Sequence, residues 1–96
     1  MSVQLRRYRI VAGKAARFAQ EWRSGVVPLR RRYGFEVEGW LVDGTDEFIW
    51  VLRHSDRATF EAADAAYYRS SERAALAPDP ARLIAEARHD WVTPVA

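Results

Sequence analysis

Two histidines, His54 and His89, are the only side chains in this sequence that titrate near neutrality unaided. Either suits general acid–base work, since proton transfer is most efficient when the catalytic pKa lies close to ambient pH. His54 closes an apolar run just ahead of a helix start, where clefts form in layered α+β folds, and His89 stands in the last strand. On that ground His54 is the preferred base. Both also suit a plainer role as strand-end imidazoles bonded to backbone or water. Tyr67 and Tyr68 offer phenolic donors, but neighbours on a helix point about 100° apart, so they cannot face the same way. Tyr67 therefore joins the two histidines as a catalytic candidate.

A second group could build a binding wall. Trp50 shares strand parity with Phe48, Leu52 and His54, and Trp91 shares it with His89. Arg6 travels with Tyr8 on one parity of the first strand, where a guanidinium could anchor a carboxylate or enolate. The pocket candidates are therefore Arg6, Tyr8, Trp50, Tyr68 and Trp91. Aromatic walls with a few polar groups suit a small apolar or aromatic molecule. The competing use of the same rings is core packing.

Other chemistries lack their residues. There is no Cys, which removes thiolate nucleophiles, disulfides and Cys-based zinc sites. There is no GxSxG, P-loop, GxGxxG or HExxH pattern, so neither a cofactor nor a metal is expected. Strand aromatics invite comparison with the RNA-recognition domain, but its basic–Gly–aromatic–Gly motif is missing.

These residues must be held by a small set of elements. Residues 3–11 read as a central strand, apolar on both parities. Residues 15–33 have helical spacing, with Ala15, Phe18, Trp22, Val26, Leu29 and Tyr33 on one stripe. Pro28 predicts a kink or break around residues 24–28. Arg30, Arg31 and Arg32 fall in the last turn, where cations complement the helix dipole, and are read as solvated. Residues 35–42 and 47–54 read as strands around Asp43-Gly44-Thr45-Asp46, a hairpin turn. Ser55 or Asp56 caps a second helix from about residue 57. Asp79-Pro80 starts a short extra helix over residues 80–85, and residues 86–95 form the last strand, broken by Pro94. The order is β-α-β-β-α-β: a ferredoxin-like α+β fold with a four-stranded antiparallel sheet and two main helices on one face.

A chain of 96 residues makes one domain, residues 1–96. It is 49% hydrophobic with four Trp, a surplus of rings for so small an interior. One sheet face has nothing in the chain to cover it. Both facts predict sheet-to-sheet pairing of two copies into a dimeric α+β barrel. Residues 1–32 hold nine cations and one anion, and residues 33–96 hold six and twelve. The basic part keeps helix and strand periodicity, so its charges read as solvated faces and no nucleic-acid partner is expected. The start of the chain runs straight into Arg6 and Arg7, and no segment approaches membrane-spanning length, so neither a membrane nor an export signal is expected and the cytoplasm is the default location.

Four segments together resemble the NIPSNAP-type branch of the dimeric α+β barrel superfamily. They are Leu5-Arg6-Arg7-Tyr8 with Ala12-Gly13-Lys14; Trp22 with residues 27–35; Phe48-Ile49-Trp50-Val51-Leu52-Arg53; and Phe60-Glu61-Ala62-Ala63-Asp64 with Ala66-Tyr67-Tyr68, Ser71-Glu72-Arg73 and Pro78-Asp79-Pro80. The resemblance implies the fold and the homodimer. The wider superfamily includes cofactor-free monooxygenases, haem-degrading enzymes, lactone isomerases and polyketide cyclases, and fold does not choose among them. Two functions stay open: a cofactor-independent enzyme of monooxygenase, isomerase or cyclase type acting on a small apolar or aromatic metabolite, or a non-catalytic homodimeric binding or interaction module. A closed apolar pocket containing a histidine would favour the enzyme.

Overall fold

Alternating apolar stretches and well-placed caps bring the chain into the expected order of elements. The computed structural model describes residues 1–96. Strands β1 (Ser2–Ile10), β2 (Glu36–Leu41), β3 (Glu47–His54) and β4 (Ile84–Val92) form one antiparallel sheet ordered β2-β3-β1-β4. β1 is paired on both edges, which accounts for its apolar residues on both parities. The first helical segment runs α1 (Ala15–Glu21), a π-helical turn (Trp22–Val26) and α2 (Val27–Arg32). After β3 come α3 (Arg57–Arg69), the single turn α4 (Ser71–Ala74) and a 3-10 turn (Pro80–Leu83). This is the ferredoxin-like arrangement.

The region around Pro28 departs from expectation. The helix does not break there. The Val27 N–H bonds the Trp22 carbonyl five residues back, so one turn is widened. Pro28 then lies in the first turn of α2, where its missing N–H costs least. Further along, Asp56 caps α3 by accepting from the Thr59 N–H at 2.7 Å. The second helix ends earlier than its apolar line suggests: Ser70 turns extended, and its Oγ accepts from the Arg73 N–H at 3.0 Å to begin α4. The extra helix before β4 is shorter than expected because Ile84 is already extended and pairs with Ile10. β4 ends at Val92 rather than 95, just before Pro94, which has no N–H for a ladder.

Register decides what faces what. Gln4, Arg6, Tyr8 and Ile10 share one face of the sheet with Phe48, Trp50, Leu52 and His54, and with His89 and Trp91. Both helices cover this face. Phe18 and Trp22 come from the first segment, and Phe60 and Tyr67 from α3; all four are buried. The Trp22 ring lies 5.0 Å from Phe48 and 5.6 Å from Trp50, edge to face in both cases. Its seat exists because β2 carries Gly39 there. A Cβ at that position would stand 2.7 Å from Trp22 Cη2 and 2.8 Å from Phe48 Cζ. The opposite face has no helix. Leu5, Ile49, Val51, Trp40 and Val92 lie on it, with Trp40 47% and Val92 37% exposed.

Trp22 therefore carries much of the helix-to-sheet packing. Trp22→Ala should lower stability by roughly 3–5 kcal/mol, read as a shift in urea midpoint at constant slope. A loss below about 1 kcal/mol would mean that the ring contributes no more than a surface residue.

Candidate functional site

Three elements enclose a cavity of about 100 Å³ on the helix side of the sheet. The sheet contributes Tyr8 and Trp50, the first helical segment Phe18, Trp22, Val26 and Arg30, and α3 Tyr67 and Tyr68. Arg73, Pro80, Ala81 and Ile84 complete it. A larger groove of about 500 Å³ lies across the ends of β1, β3 and β4, but its wall is mostly charged. Its ions pair with one another in the open, Arg9 with Glu86 at 2.9 Å and Arg7 with Glu47 at 3.6 Å. The smaller cavity is apolar with a few convergent polar groups, which is the form of a small-molecule site.

A buried ion cluster backs the cavity. Arg6 and Arg30 are each 1% exposed. Arg6 rises from the middle of β1 and donates three hydrogen bonds: Nε to Gln4 Oε1 at 2.7 Å, Nη1 to the Tyr68 hydroxyl at 2.9 Å, and Nη2 to Asp64 Oδ1 at 3.2 Å. Arg30 comes down from α2 and donates through Nη1 to the same Asp64 oxygen at 2.7 Å. Its guanidinium also lies 3.7 Å from the Tyr67 ring centroid, and that of Arg6 lies 5.4 Å from Trp50. The Arg30 Nε, Trp22 Nε1 and Trp50 Nε1 atoms are buried without an acceptor.

Burial raises the pKa of both lining phenols, Tyr8 and Tyr67, although Arg6 and Arg30 respectively oppose the rise. Both therefore stay protonated at neutral pH, as donors rather than bases. The Trp50 N–H also moderates the rise at Tyr8 but falls outside hydrogen-bond geometry. Desolvation works against the Arg6 charge, yet Tyr68, Tyr8 and Asp64 outweigh it and raise its pKa. Partial desolvation, with the charge of Arg6, holds His89 below the ordinary imidazole value.

Of the residues singled out by sequence, Tyr8, Trp50, Tyr67 and Tyr68 meet around this cavity, and Arg6 stands directly behind it. His89 is opposite Arg6 on β4, exposed, with its ring 6.5 Å from Tyr8. His54 lies away at the end of β3. Its Nε2 is 3.1 Å from the Tyr33 carbonyl, and its Nδ1 accepts from the Ser55 N–H at 3.0 Å. Trp91 packs on Phe60 at 4.8 Å, with Arg57 stacked at 4.1 Å, and does not line the cavity. Arg30, read from sequence as a solvated end-of-helix cation, is buried. Asp64 was not singled out as a site residue. Its signal was present: Phe60, Asp64 and Tyr67 fall on one helical stripe, which makes Asp64 a lone carboxylate among core residues.

No family model and no curated protein matches the chain. Solved structures do. A NIPSNAP domain protein from Burkholderia xenovorans superimposes with a TM-score of 0.87 at 19% identity, over 100% of this chain and 96% of that one. A NIPSNAP family protein from Agrobacterium tumefaciens strain C58 gives 0.87 at 16% identity, over 97% and 91%. SnoaB, a cofactor-independent oxygenase from Streptomyces nogalater solved as a point variant, gives 0.73 at 17% identity, over 99% and 93%. The chain has the fold shared by NIPSNAP proteins and the more distant oxygenase, as its sequence resemblance implied. No helix is long and apolar enough to cross a membrane.

Two outcomes follow. Asp64→Asn leaves two buried guanidinium groups around a neutral amide. It should cost roughly 2–4 kcal/mol in chemical denaturation, the figure for breaking a buried pair discounted for the 27% of Asp64 in water. His89 has a folded pKa below its unfolded value, so between the two the unfolded chain binds the proton that the folded one refuses. Stability should be unaffected by His89 above about pH 6.5 and fall as pH drops through the folded pKa. His89→Gln should flatten that segment of a Tm-against-pH curve, and an unchanged curve would refute the depressed pKa.

Proposed function

We propose that this chain forms a cytoplasmic homodimer that binds a small aromatic molecule in the cavity between the first helix and the sheet. The observation that carries the reading is the cavity itself: aromatic walls backed by one buried polar cluster, with no histidine in the lining. The binding module is thus favoured over the enzyme. Tyr8 and Tyr67 are donors at neutral pH, and His54 is turned toward the Tyr33 carbonyl. The fold shared with a cofactor-independent oxygenase supports a second reading, in which a monooxygenase, isomerase or cyclase draws its base from His89 beside Tyr8.

The uncovered sheet face supports the dimer, as a surface through which two copies would pair. Trp40 and Val92 on that face are exposed, and Leu5, Ile49 and Val51 form an apolar band between them. Burying such a band is the usual solution for a one-sided sheet.

Static light scattering at micromolar concentration should report twice the 11.0 kDa chain mass. Trp40→Asp should return it to one chain with its circular dichroism kept, and a monomeric wild type would remove the dimer from the reading. Benzyl alcohol should change the fluorescence of Trp22 and Trp50 saturably. A linear, non-saturating response would argue against the cavity as a binding site.

A further inference from the structure

We infer that the ligand of this cavity is an aromatic anion, bearing a carboxylate or enolate oxygen that takes the charge of Arg30. The inference rests on the binding reading above and names the class of molecule bound.

The charge count comes first. Arg6, Arg30 and Asp64 form a cluster of two cations and one anion, and Gln4 and Tyr68, which complete the hydrogen bonding of Arg6, are neutral. One positive charge is left over on two arginines that are each 1% exposed, and the carboxylate they share is 27% exposed. A buried charge without a counter-ion is strongly disfavoured, and a bound anion would relieve it.

The lining points the same way. Its charged members are Arg30 and Arg73, and it has no carboxylate. Arg73 is already matched by Asp79 at 3.1 Å, whereas Arg30 shares its only carboxylate with Arg6. Around the cavity the buried Nε of Arg30 and the Nε1 atoms of Trp22 and Trp50 have no hydrogen-bond partner, so the surroundings are richer in donors than in acceptors. Natural interiors rarely leave such groups unmatched, and each one is a reason to look for a missing partner. A neutral ring fills the space and leaves the charge unbalanced, whereas an oxygen anion on a planar ring balances it.

The geometry also restricts the shape. The Arg30 guanidinium carbon lies 3.7 Å from the Tyr67 ring centroid and its Nη1 is held by Asp64, and a planar fork held in this way favours a planar oxygen pair over a spherical ion. At about 100 Å³ the cavity is smaller than the roughly 150 Å³ that holds a benzene-sized ring, so a single ring is the upper limit of what enters it.

The test compares benzoate with benzamide, a neutral molecule of nearly the same shape, and with benzyl alcohol, by calorimetry and Trp fluorescence on the intact protein. Benzoate should bind about tenfold tighter than benzamide. Arg30→Lys keeps the charge but loses the fork, and should abolish most of that preference. The comparison of benzoate with benzamide on the wild type decides the inference even if the Arg30 variant fails to fold. Equal binding of benzoate and benzamide to the wild type would overturn the anion inference and leave the aromatic cavity standing. Binding of none of the three would overturn the cavity reading along with it.

Discussion

One oxygen of Asp64 accepts from two guanidinium groups, one from the middle of the sheet and one from the end of the first helical segment. Three elements thus meet at a point: β1 through Arg6, α2 through Arg30 and α3 through Asp64. Both arginines are buried, so neither can be released to water without moving a helix away from the sheet. Apolar packing alone would let α2 and α3 slide over a flat aromatic surface. The shared carboxylate ties their positions to a particular residue of β1, and Tyr68, bonded to Arg6, adds a second link from α3. Retaining ionic groups in a core to secure specificity has precedent, and here the cluster also shapes the cavity that it backs.

Arg30 reaches that point because of the π-helical turn. In an uninterrupted α-helix, twelve residues separate Phe18 from Arg30 by about 120° around the axis, off the buried stripe. One extra residue in the turn at Trp22–Val26 makes the interval equivalent to eleven, which is about 20°. Arg30 is thereby swung under the helix, while Arg31 and Arg32 remain outside. Extra residues of this kind in helices often occur at functional sites, and here the turn delivers a cation to the cavity wall.

This explains what the sequence revealed and what it hid. Strand parity put Arg6 on the same face as Tyr8 and Trp50, and the sheet register keeps them there. The stripe of Phe18 and Trp22 was visible because Phe18 precedes the widened turn and Trp22 only begins it. Arg30 was hidden because ordinary helical phasing turns it outward; Pro28 signalled trouble, but a break and an inserted residue look alike in sequence. Asp64 is visible in the sequence as a polar residue on an apolar stripe, but its two arginine partners are not. The histidines drew attention through their chemistry, yet where an imbalance of buried charge lies depends on contacts between distant segments. Element ends moved where a cap or a proline decided the boundary locally, by three residues before Pro94 and by five at Ser70.

The register of β1 against β4 bears on how the chain is made. β1 occupies residues 2–10 and takes one of its two partners from residues 84–92. During synthesis, β1 can be joined by the β2–β3 hairpin while its other edge still has no neighbour. That edge belongs to a strand with Val3, Leu5 and Tyr8, and unpaired strand edges are where nascent chains associate wrongly. Arg7 and Arg9, on the same face as Val3 and Leu5, place charge along the strand until its partner emerges from the ribosome.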